Sequence, residues 1–192
     1  MDYETITKKL AQRLSAKRYK HSMGVSETAV ILAERFGADT NKAQTAGILH
    51  DCAREIPRNT LLQRAEAFGI VVDDVERQEP VLLHAPLGAE VARVEYGIDD
   101  IEICRAIVSH TVGGPEMTLL DKIIYLADFI EPGRSCPGVD KLRLLAEKDL
   151  EAALLAAYDQ TLRYIVGEGG LIHPATVAGR NSLLIKMQAI DR

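Results

Sequence analysis

Apolar residues along this chain recur at steps of three and four, and no segment keeps an alternation of two for long, so the pattern predicts helices throughout. The first spans about Tyr3 to Leu14, with Ile6, Leu10 and Leu14 on one face. The second runs from about Arg18 to Phe36 with Val25, Ala29, Leu32 and Phe36 inward, and Gly37 stops it. Asp39 caps a third that extends to about Arg54, and Pro57 separates it from a fourth over Asn59 to Phe68, closed by Gly69. The stretch from Val71 to Pro80 reads as either a short helix or an extended connection. Further helices follow at about Leu83–Tyr96, stopped by Gly97, at Asp99–Ser109 with Asp99 as cap, and at Leu119–Ile130, stopped by Pro132-Gly133. Leu150–Val166 and Pro174–Ile190 complete the set. The sum is roughly eight helices. No internal repeat, low-complexity tract or flexible linker divides residues 1–192, so one all-α domain is expected.

Composition narrows the partners. With 47% hydrophobic and 27% charged residues the chain is of ordinary globular make-up, which excludes wholesale disorder. Twenty-eight acidic against 23 basic residues give a net charge of −5, the wrong sign for coating a polyanion, so no nucleic-acid partner is expected. No stretch approaches the roughly 18 consecutive apolar residues of a membrane span. The charged, amphipathic start carries no signal-peptide core, so a cytoplasmic protein without membrane attachment is expected. Lys8, Lys9, Arg13, Lys17 and Arg18 fit a solvated helix face. Cys52, Cys104 and Cys136 form no C-x-x-C pair, so neither a disulfide framework nor a cysteine zinc site is indicated.

The histidines carry the chemistry. In TAGILHDCARE, the residues Ala43, Ala46, Gly47 and His50 share a helix face, and small side chains leave room beside the imidazole. His50 followed by Asp51 offers a nitrogen and an oxygen donor about 100° apart around the helix axis. Alone the dipeptide is weak, because a buried histidine beside an exposed acid is commonplace. His21, however, lies one turn before Val25 on an inward stripe, and His110 continues the stripe Ile103, Ala106, Ile107. His84 opens a helix that turns Leu87, Val91 and Val94 inward. Asp128 sits among Ile123, Ile124, Leu126, Ala127 and Ile130, where a lone carboxylate is costly to bury. It needs a cation or a set of donors, unless it shares a solvated face with Asp121 and Lys122. Four of the five histidines turned inward make a common site the better account.

The order His21, His50-Asp51, Asp128 resembles the H…HD…D signature of the HD-domain metal-dependent phosphohydrolases, and with His84 and His110 between, the subset that holds two metals. RYKHSMGVSETAVILAERFGAD, AGILHDCARE, LLHAPLGAEVA, IVSHTVG, LDKIIYLADFIEPGR and LIHPATVAGRN together resemble the bacterial YqeK family across nearly the whole chain. That resemblance implies symmetrical cleavage of diadenosine tetraphosphate, a dinucleoside polyphosphate, into two ADP. It also implies iron as cofactor, with two ions expected, and leaves a homodimer open. The chain departs from the family between His110 and Pro115, where Gly113-Gly114 stand in a loop in which relatives commonly carry arginine. Any phosphate contact from that loop would have to come from the backbone.

On this footing His21, His50, Asp51 and Asp128 are the expected metal ligands, with Asp51 bridging two ions and a water activated between them. Imidazole and carboxylate without thiolate suit iron, manganese, zinc or cobalt. His84 and His110 either complete the second metal site or face the phosphates and protonate the leaving ADP. A second open site needs several protein ligands, which favours the former. Arg134, past the helix-ending EPG, is placed to meet an anion at the metals, with Arg18 and Arg54 as further candidates or simply solvated arginines. The segment Leu171, Ile172, His173, Pro174, Ala175, Thr176 is no Walker loop, but a helix starting at Pro174 would present free amides to a phosphate. Tyr125 is open between stacking on a base and packing in the core. Other nucleotides, and a binding module without turnover, are the competing readings. The last predicts a broken ligand set, whereas every position here is filled by a competent side chain.

Overall fold

The computed structural model describes residues 1–190. Among these there are eleven α-helices, one 3-10 turn at Pro80–Leu83 and no strand. In chain order the helices are α1 (Tyr3–Ala11), α2 (Ala16–Phe36), α3 (Thr40–Leu49), α4 (Arg58–Ala67), α5 (Asp74–Gln78) and α6 (His84–Tyr96). They continue as α7 (Ile101–Ser109), α8 (Leu119–Ile130), α9 (Val139–Ala146), α10 (Leu150–Gly167) and α11 (Pro174–Ile190). The count exceeds the roughly eight expected: nine of the eleven correspond to segments marked by the apolar pattern, and the other two are α5, barely more than a turn, and α9, which hides behind the Pro-Gly-rich run EPGRSCPG. The latter has only Val139, Leu142 and Ala146 fully buried on its inner face. No described helix is long and apolar enough to cross a membrane.

The helix boundaries follow local chemistry. Ser15, Asp39 and Asp149 each accept a backbone N–H at the start of their helices, and Gly37 and Gly97 close α2 and α6 in the left-handed conformation. Asp100, not Asp99, caps α7, accepting from Glu102 and Ile103. Thr118 and Asp121 form a capping box on α8. That cap, with an ion pair to Arg105 at 2.9 Å, accounts for a fully buried Asp121, which therefore shares no solvated face with Asp128.

Helix α8 is the centre. It buries Leu120, Ile123, Ile124, Tyr125, Leu126, Ala127 and Ile130, and packs against α2, α3, α7, α9 and α10. Complete burial of such side chains contributes about 1.5–3 kcal/mol each. Tyr125 is one of them; it stacks on Phe129 at 6.2 Å and meets Tyr158 at 5.0 Å, so it belongs to the core and is not free to hold a base. Helices α2 and α3 share the most extensive contact among the described helices, and Gly47 allows their close approach. A methyl there would sit 2.7 Å from the Ser26 Cα, a backbone atom that cannot step aside. Gly47→Ala gains about 1 kcal/mol of helix propensity. Overpacking of this kind costs about 1–3 kcal/mol and has the larger magnitude. The variant is expected to melt several degrees lower in thermal denaturation; an unchanged or raised Tm would contradict the close-contact account.

Candidate metal centre

Four helix ends and one helix interior meet at the site. Helix α3 stops at Leu49 instead of running on to Arg54, and the chain continues in three-residue turns, Cys52 N–H to Leu49 O and Arg54 N–H to Asp51 O. His50 and Asp51 thus stand at a helix end, 0% and 3% exposed. His84 opens α6, His110 ends α7, and Asp128 comes from the last turn of α8. His21 projects from the interior of α2.

Each imidazole is oriented by an acceptor on its Nδ1. His50 donates to Gly47 O (2.7 Å), His84 to Val81 O (2.5 Å) and His110 to Ile107 O (2.7 Å). His21 donates to Glu131 Oε1 at 3.0 Å. With the proton on Nδ1, every Nε2 lone pair faces the common centre. There His21 Nε2 lies 3.2 Å from His50 Nε2, and His84 Nε2 lies 3.1 Å from His110 Nε2. Asp51 sits between the two pairs. Its Oδ2 is 3.4 Å from His50 Nε2 and 3.8 Å from His21 Nε2, while its Oδ1 is 3.2 Å from His84 Nε2 and 3.6 Å from His110 Nε2. Asp128 Oδ1 closes the first group at 2.9 Å from His21 Nε2 and 3.8 Å from His50 Nε2.

Acceptor facing acceptor in a buried site is unfavourable unless positive charge fills the gap. Protons do not fill it evenly. Burial pushes the His84 pKa below its ordinary value, leaving a neutral imidazole. For Asp51, burial alone would raise the pKa, but His50, His110 and His84 together hold the carboxyl well below the usual range, so it is ionised. The donor set therefore suits divalent cations: imidazole nitrogens and carboxylate oxygens, tautomers fixed by outer hydrogen bonds. Asp51, His84 and His110 each lie within 4.8 Å of one another, as do His21, His50 and Asp51.

His21 behaves differently from His84. Burial lowers its pKa, yet the Asp128 and Glu131 carboxylates outweigh that and hold the proton above 6.5. A cation must displace this proton, so metal affinity should weaken as pH falls through a value above 6.5, by about tenfold per pH unit for each proton displaced. Chelator-competition titrations at a series of pH values would read this, and a pH-independent affinity would contradict it.

Two contributors went unnoticed in the sequence. Glu131, buried, orients His21 and also accepts the Gly133 N–H at 2.5 Å. Thr111 Oγ1 lies 3.2 Å from His84 Nε2 and 3.0 Å from His110 Nε2. Glu131 stands three residues after Asp128, and that spacing near a helix end was the available signal.

The expected arginines divide. Arg18 reaches Asp51 Oδ2 at 2.7 Å, and Arg134 binds the Asp128 carboxylate and its carbonyl, the latter at 2.7 Å. Arg54 is half-buried in the turn after Asp51. The free amides expected at Pro174 are taken: the Ala175 N–H donates to His173 Nδ1 (3.1 Å) and the Thr176 N–H to His173 O (3.0 Å). Thr176 Oγ1 in turn donates to Val112 O at 3.0 Å, fixing this helix start two residues past His110. His173 Nε2–H meets Asp73 Oδ2 at 2.8 Å, where Asp73 and Glu76 already form the capping box of α5. That cluster ties α5 to α11. Leu171 is exposed and Ile172 half-buried. Gly113, with φ +68°, lies so close to the Tyr158 hydroxyl that no side chain fits, which explains a glycine in the loop after His110.

Residues 18–133 match the HD domain model. The chain belongs to the HD-domain family. Within it the chain belongs to the YqeK family of hydrolases. It is 41% identical to a protein of Halalkalibacterium halodurans over 91% of this chain and 93% of that one. It is 43% identical to one of Bacillus subtilis over 90% and 92%. Both carry the name symmetrical bis(5'-nucleosyl)-tetraphosphatase. A crystal structure from Clostridium acetobutylicum, described as a predicted HD superfamily hydrolase involved in NAD metabolism, superposes with a TM-score of 0.94 at 43% identity. It covers 97% of this chain and 98% of that one. Within the matched residues, the dipeptide His50-Asp51 stands at the end of α3.

Proposed function

We propose that this chain hydrolyses dinucleoside tetraphosphates, diadenosine tetraphosphate above all, at the central anhydride in a two-cation centre bridged by Asp51. One observation carries the reading: the two Asp51 oxygens face two separate imidazole pairs, Oδ2 toward His21 and His50, Oδ1 toward His84 and His110. Its substrate comes from relatives 41% and 43% identical that are named for this reaction.

His21, His50, Asp128 and Asp51 Oδ2 would hold one cation, and His84, His110 and Asp51 Oδ1 the other. When bound, such cations neutralise charge on the transferring phosphoryl group and acidify a water into a nucleophile at neutral pH; iron is the metal the family resemblance favours. Glu131, Gly47 O, Val81 O and Ile107 O keep the four rings turned, so the ligands are set before substrate arrives. Arg18 and Arg134 stand against the two carboxylates with planar guanidiniums suited to phosphate oxygens. Their charge offsets the chain's negative balance where the anion enters. The Leu171–Thr176 segment, anchored at Val112 two residues past His110, would line one arm of the substrate through side chains other than His173, whose nitrogens are already engaged. Water adds to one of the two central phosphorus atoms, the bridging oxygen departs with the other, and both products are ADP.

Anaerobic protein loaded with ferrous iron, incubated with diadenosine tetraphosphate and analysed by chromatography, is expected to yield ADP alone. ATP with AMP would overturn the position of attack, and no turnover with metal bound would overturn the substrate.

A further inference from the structure

A cleft of about 950 Å³ begins where the metal cluster ends. Asp128 and Arg134 belong to its lining, together with Phe129 of α8, Lys141 of α9, and Gln160, Arg163 and Tyr164 of α10. The surface is predominantly apolar, its volume falls within the range of small-ligand sites, and three cations stand around it. Among the described residues its only carboxylate is Asp128, which is already paired with Arg134. Tyr164 leaves an aromatic ring 68% exposed at the rim. An apolar floor, an open ring and three positive side chains complement a flat base joined to a polyphosphate.

The metal cluster has two ends. From His84 and His110 the chain leads through Thr111 and Val112 to the α11 start at Thr176. At the other end, Asp128 and Arg134 open into the cleft. A substrate cut at its central bridge carries two equal nucleoside diphosphate arms, which leave the scissile bond in different directions and need two places to lie.

We propose that this cleft between α8, α9 and α10 holds the second nucleoside diphosphate arm of the substrate, its base against Phe129 and Tyr164 and its phosphates toward Arg134, Lys141 and Arg163. The assignment rests on the functional reading above, and it adds specificity-determining residues that lie outside the HD signature. It explains how a chain could favour a dinucleoside substrate over one with a single nucleoside: only the former fills both ends.

Tyr164→Ala and Lys141→Ala, both at exposed positions and so harmless to folding, test it in the full-length, metal-loaded enzyme. Both variants should raise KM for diadenosine tetraphosphate, Tyr164→Ala about tenfold, the scale of losing one base–aromatic contact. KM for adenosine 5'-tetraphosphate, which keeps all four phosphates but lacks the second nucleoside, should stay within about twofold in Tyr164→Ala and rise in Lys141→Ala. Equal increases with both substrates in Tyr164→Ala, or no increase with diadenosine tetraphosphate in either variant, would overturn the assignment. Calorimetric titration with a methylene-bridged, uncleavable diadenosine tetraphosphate gives a second readout independent of turnover; equal affinity in variant and unaltered protein would overturn it too. The unaltered enzyme run alongside separates the two claims. If it makes no ADP the functional reading falls, whereas ADP formation with unchanged variant KM removes only the cleft.

Discussion

Replacing Asp51 by asparagine is expected to lower kcat on the order of 10³-fold, the loss of several kcal/mol of charge stabilisation in the transition state. The amide keeps the shape of the side chain but removes the charge that faces His21 and His50 on one oxygen and His84 and His110 on the other. One of its two positions becomes an NH2 group, which cannot ligate a cation. A metal-loaded D51N protein should therefore retain at most one tightly bound ion. Steady-state kinetics at saturating metal, with elemental analysis of the same sample, would read both effects. Activity within tenfold of the unaltered enzyme would show that Asp51 does not bridge.

The second large effect is expected at Glu131. It touches no cation in the proposed arrangement, yet it fixes the His21 tautomer through a 3.0 Å hydrogen bond. Gly24 of α2 gives the carboxylate its room, since a methyl there would lie 2.6 Å from Glu131 Oε2. Outer partners of this kind typically contribute about 10–100-fold in metal affinity. Glu131→Gln preserves an acceptor for the His21 N–H but withdraws the negative charge that makes the ring a stronger donor. It should weaken binding toward the lower end of that range, and Glu131→Ala, which takes the acceptor away from both the His21 and the Gly133 N–H, toward the upper end. Chelator competition measures both. Affinity unchanged in the alanine variant would remove Glu131 from the centre.

Much of this site was legible in the sequence because burial is periodic. His21, His84, His110 and Asp128 were placed inward by the three- and four-residue spacing of their apolar neighbours, and each is found at the cluster. Helix ends were harder. The apolar pattern continues through the His-Asp pair to Arg54, whereas the tightening after Leu49 is a matter of hydrogen bonding that spacing does not report. In Asp99-Asp100 either carboxylate can cap, and only the path of the chain decides for Asp100. Glu131 and Thr111 act through partners distant in sequence, and Glu131 meets His21 across 110 positions, beyond any local pattern. His173 is expected from the sequence to meet substrate, whereas its nitrogens are engaged by the Ala175 amide and by Asp73, contacts that tie down the start of α11. The cleft beside Asp128 is a product of α8, α9 and α10 packing together, and the short apolar pattern of α9 does not announce a helix.

The most direct test of the account is anomalous diffraction from crystals of the metal-loaded protein, collected at the absorption edge of the bound metal. Two peaks are predicted, one among His21, His50, Asp51 and Asp128 and one among His84, His110 and Asp51, on opposite sides of a single carboxylate. A single peak at full loading, or a second peak away from Asp51, would contradict the bridged two-cation centre on which the proposed chemistry rests.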